Sequence, residues 1–459
     1  MSKQKFIFIV SMVIVGLILA FWIASVFITK QKSGGGPVTI RDFFPISNSP
    51  ISNTPPVNIN GNGETLPTDN GNTNTPPKFR QISNFAVAGA TVVDETPVAP
   101  IVAKTKVSKT VPATPPIPPV YAIRYVERAT GHLFEQILGS WTEKKVTNTT
   151  IPSIYEAMFG NNGNSAFLRY LNSDNQTIES FSGSIPLPKV PAKTASTTVT
   201  TTNTATVANA LPIGNDVAET PIPELLGTFF PENISSAVVS PDGSKVFYLS
   251  SFGDQTLGTS ANLDGTKKSQ FFTSSFSEWI PQWPTARIMT ITTKASASVP
   301  GFVYTLDTQT GDMNKIIGGL KGLTTLTSSD GKNMLYSVSN GKDFSLYSYS
   351  LKTNTTTNLN IKTLPEKCVW SSDNITVYCG VPVSPDAGAY PDVWYQGLTS
   401  FNDQIWKINT ATSEFNMIGD PNSDVNVSMD ATKLILDKTE SNLFIVNKKD
   451  SKLWSLALQ

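Results

Sequence analysis

Short runs of alternating apolar and polar side chains recur along the chain, and the runs group into units. The clearest unit is Val238-Val-Ser-Pro-Asp-Gly-Ser-Lys-Val-Phe-Tyr-Leu249, an apolar strand, a tight turn and a second apolar strand. Alternation with a period of two gives a strand one buried face, and Asp-Gly supplies the positive φ that a hairpin turn demands. Aligned on that turn, the equivalent positions are Asp242, Thr285, Asp330 and Asp373, spaced about 43 to 45 residues apart, the length of one four-stranded propeller blade. Third strands follow within 302–312, 344–351 and 404–412. Upstream, 153–159, 166–171 and 224–230 belong to another unit, while 86–94, 122–128, 131–138 and 142–147 read as the four strands of a first blade. The last unit, 434–458, holds only three strands. A fourth is available at 78–83, and its addition closes a ring that otherwise exposes a sheet edge. The pattern predicts an all-β fold, a β-propeller of about seven blades over residues 78–459.

Three tracts interrupt this pattern. Residues 29–77, 95–119 and 186–223 are rich in Pro, Thr, Asn and Ser and poor in large apolar groups, so they are expected to be flexible linkers. Residues 6–28 carry no charge and as a helix span roughly 35 Å, enough to cross a bilayer and longer than the apolar core of a signal peptide. The expectation is a single transmembrane helix with residues 1–5 cytoplasmic and the propeller outside the cytoplasm. In a propeller, first-to-second and third-to-fourth connections share one face. All three flexible tracts join there, on what is predicted to be the membrane-proximal side. A further insertion, 381–403, joins a second to a third strand and therefore lies on the far face. It contains Tyr390, Trp394 and Tyr395, which either bind a partner or anchor the loop on the blades.

The Ser-Pro-Asp-Gly hairpin at Ser240–Gly243, together with the Leu306-Asp-Thr-Gln-Thr-Gly311 turn, resembles the WD40-like propeller repeat of TolB and its relatives. The resemblance covers most of 78–459, although only the unit beginning at Val238 keeps the full turn. It implies a periplasmic type of propeller. It implies no ligand and carries no binding residue onto this chain.

Composition narrows the chemistry. Lys plus Arg and Asp plus Glu both number 35, so net charge predicts no nucleic-acid partner. The single histidine, His132, lies in the turn Ala129-Thr-Gly-His132, where it reads as a turn residue; one histidine cannot build a multi-His metal site. No Gly-x-Ser-x-Gly elbow is present, and no catalytic residue, metal ligand or cofactor site is assigned. Asn- and Asp-rich stretches at 160–164 and 263–265 read as hairpin turns in preference to calcium ligands. Arg124-Tyr-Val-Glu-Arg128 reads as an exposed strand face. Cys368 and Cys379 fall opposite each other across a turn at Asp373-Asn374, which predicts a disulfide and an oxidising compartment; two buried thiols are the alternative.

The expected function is a membrane-anchored, non-catalytic binding or scaffolding module of the cell envelope with a protein partner. The alternatives are an envelope hydrolase or lyase acting on glycans or peptides through carboxylates in the central channel, and a structural subunit of a surface assembly.

Overall fold

A sheet with apolar side chains on both faces must be covered on both, and a ring of sheets provides each with two neighbours. The structure, a computed structural model, describes residues 78–96, 118–186 and 221–458. These form seven four-stranded antiparallel sheets, the blades of a propeller. Blade 1 spans 87–145, blade 2 154–229, blade 3 236–274, blade 4 279–321, blade 5 325–358 and blade 6 368–419. Blade 7 takes three strands from 431–457 and its outermost strand, Phe79–Gln81, from the other end of the described chain. Outside the blades, the described residues hold a 3-10 turn at Pro365–Lys367 and two short helices, Asp392–Tyr395 and Pro421–Val425.

The cores lie between blades. Phe247, Leu249 and Phe272 of blade 3 pack on Trp279, Met289 and Ile291 of blade 4. Leu335 and Leu346 of blade 5 meet Trp370, Val377 and Ile408 of blade 6. Each of the seven junctions has such a cluster, including the one joining Phe444, Val446 and Leu453 of blade 7 to Val87, Ile123 and Tyr125 of blade 1. Closure rests on the pairing of Phe79, Arg80 and Gln81 with Leu456, Ser455 and Trp454. Phe79 is also buried against Ile405, Met429 and Leu456, so it seals the junction between blades 6 and 7.

Neighbouring blades approach closely where side chains are absent. A Cβ added at Gly160 would sit 2.3 Å from the Gly243 carbonyl oxygen of the next blade. Gly243 itself has φ +69°, the left-handed conformation that the Asp-Gly turn requires.

Strand order divides the connections between two faces. The ends flanking 97–117 belong to a first-to-second connection, those flanking 187–220 to a third-to-fourth connection, and Phe79 begins a fourth strand. All three therefore reach the same, lower face. Residues 383–402 join the second and third strands of blade 6 and lie on the upper face. The expected transmembrane segment 6–28, the expected linker 29–77, and residues 97–117 and 187–220 of the other two expected linkers lie outside the described residues. Among the described residues, no helix is long and apolar enough to cross a membrane.

One expectation is corrected. Arg124-Tyr-Val-Glu-Arg128 is not an exposed face, because Arg124, Tyr125 and Val126 are buried. The Arg124 guanidinium is satisfied by Glu135, by Glu95 at 2.8 Å and by the Gly163 carbonyl at 3.0 Å, so the charge is carried inside the junction with blade 2. Alternation identifies a two-sided strand but not which charged residue finds a buried partner.

Phe79→Ala should lower the free energy of unfolding by about 3–5 kcal/mol, because it opens a cavity at the point of closure; urea denaturation of the purified protein measures it. Acid should also weaken the ring. The Asp242 carboxyl is held below 3.8 chiefly by the Ser240 hydroxyl and then by the Ser244 amide; Asp307 is held below 3.8 by the Gln309 amide and then by Arg287. A folded-state value below the unfolded one means stability that is present above about pH 4 and lost as pH falls through the folded value. The urea midpoint should therefore drop between about pH 5 and pH 3, and less so in Asp242→Asn.

Candidate functional site

Among the described residues the far-face insertion is the longest departure from the repeat, and its aromatic residues turn inward. Tyr390 and Trp394 are 1% and 4% exposed, and Tyr395 is partly buried. With Phe344, Leu364 and Phe401 they form a cluster additional to the seven between blades. The Tyr390 ring lies 4.5 Å from that of Phe344 in blade 5 and 5.5 Å from that of Phe401. Polar contacts extend the attachment. The Ala297 amide in blade 4 donates to Asp392 at 2.6 Å, the Gly388 amide donates to the Lys342 carbonyl of blade 5, and Lys448 of blade 7 donates to the Trp394 carbonyl. The insertion is thus fastened to the upper ends of four consecutive blades. Of the two roles open to these aromatics, anchoring is the one observed. The loop presents Gln396, Gly397 and Leu398 outward instead.

Beneath the insertion lies a buried ionic cluster. Lys367 ends the 3-10 turn that leads into blade 6, Asp403 opens the third strand of that blade, and Asp430 immediately precedes blade 7. The side chains of all three are 0% exposed. Lys367 Nζ lies 2.7 Å from Asp403 Oδ2 and 2.5 Å from Asp430 Oδ1, and donates to the Ala431 carbonyl at 3.0 Å. The rings of Trp394 and Phe401 stand 5.2 and 4.9 Å from the same nitrogen.

The two carboxylates differ in their partners. Asp430 accepts from Trp394 Nε1, the Ser400 hydroxyl and the Phe401 amide as well as from Lys367. Burial pushes its carboxyl up, but the charge of Lys367 and these hydrogen bonds outweigh burial and hold it below 3.8. Asp403 Oδ2 accepts from the Ala431 amide at 2.6 Å, whereas Oδ1 has no hydrogen-bond partner among the described residues. Burial, reinforced by Asp430 and opposed by Lys367, pushes the Asp403 carboxyl up to about 6. In the residue before Lys367, burial raises the Glu366 carboxyl, which accepts from the Tyr395 and Thr324 hydroxyls.

No motif or spacing in the sequence marks this cluster. The available signal was positional: Lys367 and Asp430 occupy the same place in consecutive units, one residue before the first strand. Opposite charges at equivalent positions of adjacent blades are brought side by side by the ring.

Cys368 and Cys379 are directly paired across the first two strands of blade 6, with Cα atoms 4.1 Å apart, and are joined by a disulfide. His132 follows its turn, with Nε2 3.2 Å from the Thr150 hydroxyl and burial lowering its pKa. In the 160–164 stretch, Asn161, Asn162 and Gly163 all have positive φ, and Asn162 bonds to the backbone of Asp94. No group of three potential metal ligands occurs among the described residues.

The first strands of the blades carry two acidic residues, Glu156 and Asp94. Glu156 is paired with Arg169 at 2.5 Å, and the Asp94 carboxylate accepts from the Thr96 amide at 3.0 Å. Lys433, in a first strand at φ +49°, donates to the Ala88 carbonyl of blade 1, and burial lowers its pKa.

No family model and no curated protein matches the chain. Among solved structures, TolB from Acinetobacter baumannii is 13% identical, with 64% of this chain and 63% of that chain covered and a TM-score of 0.39. The β-propeller domain of the Trilobed protease from Pyrococcus furiosus, described as having an open velcro topology, is 10% identical over 74% of this chain and 92% of its own, with a TM-score of 0.45. An acylaminoacyl peptidase from Pyrococcus horikoshii is 10% identical over 72% of this chain and 47% of its own, with a TM-score of 0.42. Blade count and closure rest on the strand pairing of this chain.

Trp394→Ala removes a buried ring, a donor to Asp430 and a wall beside Lys367. It should cost about 3–5 kcal/mol in urea denaturation, and limited proteolysis should find new cleavage within 383–402.

Proposed function

We propose that this protein is a membrane-anchored extracytoplasmic propeller that acts as a non-catalytic protein-binding or scaffolding module of the cell envelope, with its upper face as the binding surface. The uncharged 6–28 segment supports the anchor, and a disulfide in blade 6 is consistent with an oxidising compartment. The described ends that lead to 97–117, to 187–220 and to the N-terminal region lie at the lower face, which supports the upper face as the one available to a partner.

The observation that carries the reading is the character of the upper face beside the insertion. Phe252, at the tip of a blade 3 hairpin, is 73% exposed, and Val299, at a blade 4 hairpin, is 62% exposed. Phe276, on the connection between these blades, is exposed as well. Thr256 donates to the Ser277 carbonyl, and Lys294 pairs with Glu278 at 2.8 Å, so both hairpins are tied to that connection. Exposed large apolar groups on adjoining, braced loops suit recognition of a protein surface. The two acids of the first strands are engaged with protein groups, which favours binding over channel chemistry.

The test is crosslinking and capture from native membranes with the tagged full-length protein, compared with a Phe252→Ser, Phe276→Ser, Val299→Ser variant. These side chains are exposed, so the variant should keep its urea midpoint within about 0.5 kcal/mol of unfolding free energy. A specific envelope protein captured by the native chain and lost from the variant is the expected result. Equal capture by both, or none by the native chain, overturns the proposed surface.

A further inference from the structure

The Lys367 cluster has the parts of a condensation site. An amine and a carboxyl, both fully buried, are in contact beside two aromatic rings, and a second carboxylate touches the same nitrogen at 2.5 Å. We propose that Lys367 and Asp403 condense to an isopeptide bond, with Asp430 as the base that frees the amine.

The roles follow from the hydrogen bonds. Asp430 is the better-solvated carboxylate, with donors from Trp394, Ser400 and Phe401, so it is the anion able to take a proton from Lys367 Nζ. Asp403 is the poorly solvated one. Burial and the neighbouring Asp430 favour its neutral form, the electrophile needed for attack by an amine. The Ala431 amide at 2.6 Å from Asp403 Oδ2 is placed to stabilise negative charge on that oxygen in a tetrahedral intermediate. Oδ1, without a partner among the described residues, is the oxygen free to leave. The Ala431 carbonyl, 3.0 Å from Nζ, orients the nitrogen.

The step balances without an oxidant or a cofactor. Lys367 ammonium gives one proton to Asp430. The neutral amine attacks Asp403 Cγ, a C–N bond forms, and the Cγ–Oδ1 bond breaks. Oδ1 departs as water, carrying its own hydrogen and the second amine hydrogen. The product is a secondary amide, with the first proton left on Asp430. Fixed proximity replaces a bimolecular encounter, and exclusion of water opposes the reverse hydrolysis. Condensation also removes a buried cation and a buried carboxyl from an apolar site, where their desolvation is costly. The bond would join the connection entering blade 6 to its third strand, one residue from the disulfide that joins its first and second strands.

Mass spectrometry of the full-length chain, after reduction of the disulfide, tests this. The native protein should be lighter than its sequence by one water. A lysine-specific digest should leave Lys367 uncut and yield a branched peptide joining Lys367 to Asp403. Lys367→Met and Asp430→Asn should each restore the full mass, the second with a side chain of nearly the same shape. A native chain of full mass with Lys367 cleaved normally overturns the proposal, independently of whether any variant folds. A branch at Asp430 overturns the assignment of roles, as does condensation that persists in Asp430→Asn.

Discussion

Every blade has apolar side chains on both faces, so none is stable without a neighbour on each side. That requirement makes closure the constraint on which the structure depends. The C-terminal unit supplies three strands, and Phe79–Gln81 completes it by pairing with Trp454, Ser455 and Leu456. Closure gives blade 7 its fourth strand and lets Phe79 fill the junction between blades 6 and 7. Phe79 begins a fourth strand and so lies at the lower face, as do the described ends flanking 97–117 and 187–220.

The upper face is organised differently. The insertion of blade 6 is held by aromatic packing and by polar contacts that reach blades 4, 5 and 7, and under it one lysine bridges two aspartates with no access to water. Buried charge of this kind is held by its partners and by the exclusion of solvent, so loop and cluster support each other. An anchored insertion beside braced apolar hairpin tips makes a firm surface. A loose loop in the same place would lose ordering entropy on each binding event.

Much of the fold was legible because its signals are local. Period-two alternation marks strands, Asp-Gly and Asn-Gly mark turns, and a period of about 43 to 45 residues marks a blade. The displaced strands at Val87–Asp94 and Leu226–Phe229 were also recoverable, since each blade must have four strands and the linkers only separate them in sequence. The site was less legible. Tyr390 and Trp394 were visible as an aromatic group, but a sequence does not say whether a loop faces solvent or its own scaffold. Lys367, Asp403 and Asp430 carry no mark in the sequence, because each is an ordinary charged residue within its own segment. Arg124 reads as exposed for the same reason: its partner Glu135 lies on the next strand, and its acceptor Gly163 lies in the next blade.

The amino-acid sequence by itself determined the repeat, the approximate place of the strands and the need for a closing strand, because hairpins and alternation are written within a few residues. Tertiary structure alone decided which charges are buried, which aromatics are anchors and which loop tips remain exposed. Those outcomes depend on contacts between residues far apart in the chain, set by the angle and order of the blades around the ring. Lys367 and Asp430 meet only because consecutive units stand side by side, and that juxtaposition is a property of the closed ring.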